Sequence, residues 1–529
     1  MSDNAPKMLI VGPTSGLQQP DSGAEKVLSR IVSDALAIAR ERGVADTSAR
    51  IRIGKHEFRE QDYQQIVLWA QEAGESPEEL VSLLDAQEST LDTRRAFIID
   101  DGSIKQIAFP EEPIFPQRVV RISGLPKLLK LSCNDNQLTE LDLSNVPALT
   151  ELVCSSNQLT ELDLSNLPAL TILGCYTNQL TELALSNVPE LDWLQCPENQ
   201  LTELDLSNVP LLTELFCDEN QLTELDLSNV PLLTNLGCDK NQLAELDLSK
   251  VPLLTELRCR ENHLTKLDLS DVPLLTELRC RENQLTELDL SNVSALTSLS
   301  CDDNQITKLD LSNVPMLAEL YCSWNQLTEL DLSKLPMLAE LFCQKNQITK
   351  LDLSNVPALT LLSCSDNLIT NLDLSNVPAL DWLDCDDNQL TELDLFKVPA
   401  LTTLGCSDNH ITKLDLSNVP ALETLCCQKN QLTELSLSNV PALTELYCGW
   451  NQLTELGLSN IPALIHLGCD KNQLAELDLS NLPALTTLEC QGNQLTELDV
   501  RENPELKILQ CDPSVRIIKH EWQSFSDAK

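Results

Sequence analysis

The chain has 529 residues, with 81 acidic against 36 basic side chains and a formal charge of −45. Such a surface repels phosphate backbones and anionic bilayers, which excludes nucleic acid as an expected partner. No apolar stretch approaches the roughly 20 residues that span a bilayer, so no membrane insertion is expected.

Residues 1–20 read as flexible, and residues 1–10 lack the basic-then-apolar pattern of a secretory leader. The expected location is the cytoplasm, or outside the cell by a route without a recognisable secretory signal. The run from Met8 to Gly16 faintly resembles a phosphate-binding loop, but no Gly-Lys-Ser/Thr follows and the motif is rejected. Residues 21–95 read as a small helical domain. Ser22 with Glu25 forms a capping box that opens a helix with Val27, Leu28, Ile31, Val32, Ala35 and Ile38 on one stripe, ending near Gly43. A strand is expected over 51–58. A helix over 60–73 carries Tyr63, Ile66, Val67 and Ala70 and stops at Gly74. Ser76-Pro77-Glu78-Glu79 then supplies cap, first-turn proline and capping glutamate for a helix presenting Leu80, Leu83 and Leu84. Only these N-terminal 95 residues leave room for an enzyme, and their chemistry is not legible.

Residues 96–132 read as an N-terminal cap and degenerate first repeat. Phe97-Ile98-Ile99, Asp101-Gly102 and the segment from Ile104 to Phe109 predict a hairpin. Ser123 and Pro126 already stand twenty-one residues before Ser144 and Pro147. Residues 133–511 then repeat with that period, and residues 512–529 form a C-terminal cap and tail in which residues 515–518 predict a last strand. Of twenty cysteines, nineteen keep the interval from Cys133 to Cys511, and only Cys426 falls outside it.

A chain that coils once per repeat returns the same small residue to the same interior slot on every turn. In one coil, Leu152 and Cys154 alternate with Glu151, Val153 and Ser155, which predicts a short strand with two side chains inward and three outward. The cysteines read as small core residues, with disulfides or metal ligation as the alternatives. Asn157 and its equivalents from Asn136 to Asn493 read as a buried ladder satisfying loop backbone groups on successive coils. Leu162-Asp163-Leu164-Ser165 forms a shorter segment on the opposite wall. Its exposed aspartates repel by about 1 kcal/mol per adjacent pair in water, less than the 1.5–3 kcal/mol or so that each buried leucine contributes. The predicted fold class is an α/β-type repeat solenoid. It is a curved leucine-rich-repeat array with a parallel β-sheet on the concave face and a mostly irregular or short-strand convex side, preceded by the small helical region.

Comparing the coils with one another locates a candidate site. Variation concentrates three and one residues before, and one and two after, each ladder cysteine. Ten aromatics lie in the array and nine occupy those positions: Tyr176, Trp193, Phe216, Tyr321, Trp324, Phe342, Trp382, Tyr447 and Trp450. Drift at unconstrained surface positions explains variability, whereas exposed aromatics are the usual anchors of interfaces. Arg258, Arg260, Arg279 and Arg281 come from adjacent coils. They form either a square that grips a carboxylate or phosphate, or a set neutralised by Glu256, Glu261, Glu277 and Glu282. Cys426 reads as a passive exposed thiol, and the five histidines never cluster.

The pattern Leu-x-x-Leu-x-Cys-x-x-Asn-x-Leu-Thr-x-Leu-Asp-x-Ser resembles the twenty-one-residue repeats of bacterial internalin-type proteins, in their cysteine-ladder subclass, over roughly residues 112–512. The resemblance implies a curved, non-enzymatic recognition module, often one that meets host molecules. This chain shows no secretion signal, no immunoglobulin-like domain after the repeats and no C-terminal wall anchor. The expectation is a non-enzymatic, monomeric protein that needs no cofactor or metal and binds a protein or peptide ligand on its concave face. The alternative is a structural protein whose acidic wall binds Ca²⁺ or a surface.

Overall fold

Each coil spends only three residues on a strand. In Glu256–Arg258 the central Leu257 is fully buried and both neighbours are half-buried, and Cys259 follows it inward. The computed structural model describes residues 9–10, 50–73, 75–86, 97–100, 103–109, 119–122 and 125–526, in two compact units, Met1–Leu232 and Leu233–Lys529. The parallel leucine-rich-repeat architecture expected from the sequence is present in both.

In the first unit, β1 (Leu9–Ile10) pairs in parallel with β2 (Arg50–Ile53), and β2 pairs antiparallel with β3 (His56–Arg59). The single strand expected over 51–58 is therefore a hairpin. Gly54 takes a φ of 58°, open to a residue without a Cβ, and reverses the chain there. Helix α1 (Glu60–Ala73) follows at once, burying Ile66, Trp69 and Ala70. Helix α2 (Pro77–Ala86) opens with the expected capping box: Glu79 N donates to Ser76 Oγ at 3.2 Å and Ser76 N donates to Glu79 Oε2 at 3.0 Å. The helix expected between Ser22 and Gly43 lies outside the described residues. Gln65 Nε2 and Trp69 Nε1 both donate to the Arg121 carbonyl, at 2.7 and 3.0 Å, which fastens α1 to the start of the coils.

β4 (Phe97–Asp100) and β5 (Ser103–Ala108) form the expected antiparallel hairpin. β5 then pairs in parallel with Lys130–Ser132, and the ladder continues through Glu151–Val153, Ile172–Gly174, Trp193–Gln195 and Glu214–Phe216. In the second unit a parallel sheet runs from Asn235–Gly237 to Ile508–Gln510, each residue facing the one twenty-one positions away. One face of the sheet covers the leucine core and the other is turned outward.

Every cysteine is a free thiol, and those of the ladder from Cys133 to Cys490 are buried, with Cys511 half-buried. Burial pushes a thiol such as Cys322 well above its ordinary range. The ladder thiols are thus packed into the core, one per coil. The asparagine ladder sews the coils together as expected. Asn283 Oδ1 accepts from Leu264 N at 3.0 Å, while its Nδ2 donates to the carbonyls of Cys259 and Cys280 at 2.9 and 3.1 Å.

Among the described residues the opposite wall forms strands only near the ends, where Val119–Arg121 pairs with Glu140–Asp142 and Glu497–Asp499 with Arg516–Ile518. The latter is the strand expected after residue 514. The aspartate column is more than a source of repulsion. Asp268 Oδ1 accepts from Ser270 N at 2.9 Å and Asp310 Oδ1 from Ser312 N at 3.0 Å, which holds these two carboxyls below their usual range. Beyond the last coil, Gln523 Nε2 donates to the carbonyls of Val500 and Asn503 at 2.8 and 3.1 Å, closing the end of the core.

Candidate ligand-binding face

The four variable positions have three different surroundings. In most coils, as in Glu319–Tyr321 and Glu340–Phe342, the first and third residues of the strand stand half-buried on the outer face of the sheet. The residue after the cysteine is tucked in: Asp302 Oδ1 accepts from Ser323 N of the next coil at 2.9 Å, and Asp239, Ser155 and Ser323 are buried. The residue after that adopts a left-handed turn, with φ of 54° at both Trp324 and Trp450. These two indoles are 51% and 55% exposed, more than the other aromatics at the four variable positions.

Three rings of the second unit come together. Tyr321 and Phe342 stack at 5.2 Å with planes 17° apart, and Phe342 meets Trp382 at 5.8 Å and 28°. The Tyr321 hydroxyl donates to Glu340 Oε2, and burial with that carboxylate pushes the phenol pKa up. Lys345 Nζ lies 3.7 Å over the Trp324 ring and Lys471 Nζ 5.5 Å over that of Trp450. Tyr447 stands apart from the stack, its hydroxyl 3.5 Å from His466 Nδ1. In the first unit, Tyr176, Trp193 and Phe216 are half-buried on the same kind of face, and Trp193 Nε1 donates to Glu214 Oε2 at 3.0 Å.

The four arginines are already paired. Arg258 meets Glu256 and lies 4.0 Å from Glu277, Arg279 Nε is 2.5 Å from Glu277, Arg260 Nε is 2.6 Å from Asp239, and Arg281 meets Glu282. Of the two readings of these side chains, mutual neutralisation is the one the geometry shows, with Asp239 taking the place expected of Glu261. Half-exposed pairs of this kind add little stability, and they leave a charge-balanced, hydrogen-bonding surface.

Sequence comparison missed a further apolar column on the turn that leads into each strand. Leu253, Leu274, Met316 and Met337 are 40%, 47%, 53% and 54% exposed. They belong to the same coils as Arg258, Arg279, Tyr321 and Phe342, whereas later coils place alanine there, at Ala358, Ala379 and Ala400. The signal was available in that column, which varies in the same coils as the face itself.

Cys426 is half-buried, and burial together with Asp386, Glu445 and Asp384 pushes its thiol up to about 11, which leaves little thiolate at neutral pH. Among the described residues no group of three or more His, Cys, Asp or Glu side chains is placed to hold a metal ion. On the opposite wall a groove of about 1020 Å³ opens around Gly457, lined by Glu434, Glu455, Glu476 and Asp478 and by no aromatic ring. Among the described residues no helix is long and apolar enough to cross a membrane.

No family profile and no curated protein matches the chain. Solved structures do. The functional domain of InlJ from Listeria monocytogenes, which includes a cysteine ladder, is 38% identical over 61% of this chain and 68% of that one, with a TM-score of 0.51. YopM from Yersinia enterocolitica is 27% identical over 88% of this chain and 98% of its own, with a TM-score of 0.64. The plant peptide hormone receptor RGFR1, solved in complex with RGF2, shares the fold at 21% identity, covering 80% and 75% of the two chains with a TM-score of 0.68. The shared architecture is the leucine-rich-repeat solenoid. With its ladder cysteines buried one per coil and this likeness to InlJ, the chain belongs to the internalin-type leucine-rich-repeat family, in its cysteine-ladder form.

Proposed function

We propose that the outer sheet face of the second unit, the concave side expected of such coils, binds a protein or peptide ligand in a non-enzymatic recognition role. The observation that carries the reading is the stack of Tyr321, Phe342 and Trp382 on the solvent side of the sheet. Each of these coils has already filled its interior with leucine and cysteine, so the rings contribute nothing the core needs. Aromatic side chains held in register on an otherwise polar, acidic surface supply area for a partner at low entropic cost. The exposed Leu253, Leu274, Met316 and Met337 extend that area along one edge, and the paired arginines add a polar rim.

The family suggests a bacterial host-interaction protein or effector, acting as a monomer in the cytoplasm or after export. The alternative is an acidic wall that binds Ca²⁺ or a surface; among the described residues the wall's aspartates, such as Asp268 and Asp310, are engaged as turn caps. Affinity capture from host-cell and bacterial lysates with the full chain tests the reading. The control is a variant carrying Phe216→Ser, Arg258→Ser, Arg279→Ser, Tyr321→Ser and Phe342→Ser. A partner held by the parent and lost by the variant supports it, and the lysate of origin indicates where the protein works. Equal capture by both, or none, sinks it.

A further inference from the structure

Two coils beyond Phe342, alternating residues of a single coil place Trp382, Asp384 and Asp386 in a row along the outer face. Trp382 is stacked on Phe342 at 5.8 Å, so one end of the row belongs to the aromatic cluster. At its other end the sheet neighbour of Asp384 is Gly405. A Cβ built on that glycine would lie 3.1 Å from Asp386 Oδ1 and 3.2 Å from Asp384 Oδ1. Both carboxylates therefore converge on a notch that exists only because residue 405 has no side chain.

The carboxylates are held in place. Asp384 Oδ2 accepts from Ser363 Oγ at 3.0 Å and its Oδ1 from Asp386 N at 3.1 Å, while Asp386 Oδ1 accepts from Ser407 N at 2.5 Å. They also lack a counter-charge. Asp387 lies on the same coil, with Asp366 and Asp408 on the flanking ones. Among the described residues Lys429 is paired with Asp408 at 2.9 Å and also attracts Asp387, while no ion pair is formed by Asp384 or Asp386. Burial, and then the neighbouring aspartates, push Asp386 up to about 6. The coils around Arg258 and Arg279 contrast with this, because every guanidinium there has its carboxylate.

An indole in the same outward row as two fixed carboxylates that form no ion pair suits a planar cation. A guanidinium can stack on an indole while its forked N–H groups reach a carboxylate, which an ammonium cannot do at once. We propose that the notch between Trp382, Asp384, Asp386 and Gly405 receives an arginine side chain from an extended, basic segment of the partner protein. The proposal rests on the reading of this face as a binding surface and names the chemistry of what it binds.

The test uses the full chain and a short fluorescein-labelled peptide of alternating arginine and serine, followed by fluorescence anisotropy at physiological salt. Lysine–serine and glutamate–serine peptides serve as comparisons. The arginine peptide should bind more tightly than the lysine peptide, and the glutamate peptide should not bind. The double variant Asp384→Asn, Asp386→Asn keeps both side-chain carbonyl acceptors and should weaken binding at least about tenfold. Gly405→Val removes no charge but fills the notch, and it should weaken binding by a similar factor. Glu434→Gln with Glu455→Gln on the opposite wall should leave binding unchanged. Thermal melts confirm that each variant is folded. Binding that ignores Gly405→Val, or that falls equally with the opposite-wall variant, would reduce the effect to general attraction and overturn the proposal. Competition separates this outcome from failure of the broader reading. A partner that is captured through Phe342 but not displaced by the arginine peptide leaves the binding face standing and removes the notch as its arginine receptor.

Discussion

Tyr321 and Phe342 occupy the same slot of consecutive coils, and their rings stack 5.2 Å apart with planes 17° from parallel. That separation is close to the roughly 4.8 Å step between strands of a parallel sheet, so the backbone repeat itself sets the stacking distance. A solenoid with aromatic side chains in successive slots thereby gains a rigid apolar strip without altering its interior.

Because the strip lies outside the core, its loss should cost little stability. Phe342→Ser is expected to destabilise the protein by about 0.5–1.5 kcal/mol, the scale of a lost aromatic pair, while abolishing capture of the partner. Urea unfolding of parent and variant checks the first half. A loss of several kcal/mol would assign the ring to the core.

Asn283 represents the opposite case, a polar side chain on which the fold depends. Its amide satisfies Leu264 N and the carbonyls of Cys259 and Cys280 in a buried setting. Asn283→Ala leaves those groups without partners and is expected to cost about 3 kcal/mol, since each buried unsatisfied group costs roughly 1–3 kcal/mol. A urea melt that shifts by less than a third of this would mean that water replaces the side chain.

The acidic notch carries a pH signature. Asp386 has its folded-state pKa raised from 3.8 to about 6, chiefly by burial. The folded state therefore binds more protons than the unfolded chain between those values, and this group's contribution to stability falls as pH rises from about 4 to 6. Asp386→Asn should raise the melting temperature at pH 7.5, by a stability gain on the order of 1–2 kcal/mol, and leave it nearly unchanged at pH 4. The same substitution contributes to the expected loss of arginine-peptide binding. A gain in stability joined to a loss of binding is what a site kept for a ligand would show. Lower stability at pH 7.5 would contradict the assignment.

The thiols offer a direct check of the interior. Cys133 to Cys490 in the ladder are buried, and Cys426 is half-buried with its pKa pushed up to about 11. At pH 7.4 the native protein should react slowly with a thiol reagent, with Cys426 and Cys511 the only accessible positions. All twenty thiols should react once the protein is unfolded in guanidinium. A stoichiometric burst from the native state would show that the ladder is open.

The sequence alone was enough for everything that repeats or is local. The period, the strand ahead of each cysteine and the asparagine ladder follow from alternation and from identical slots returning every coil. The bounds of α1 and the Ser76–Glu79 capping box follow from local periodicity and capping chemistry. The reversal at Gly54 left a trace that the single-strand reading overlooked: the apolar parity of Ile51 and Ile53 breaks before Phe58, as it does across the two-residue Gly54-Lys55 turn. Tertiary structure decided whatever depends on where side chains from different coils meet. Arg260 chose Asp239 over Glu261, and Phe342 reached Trp382 two coils away. Asp384 and Asp386 came to face the empty position at Gly405 on the neighbouring strand. Repetition specifies a backbone because every coil makes the same interior contacts. A binding site arises where the coils differ, and the consequence of each difference is set by rotamers and neighbours that no single coil contains.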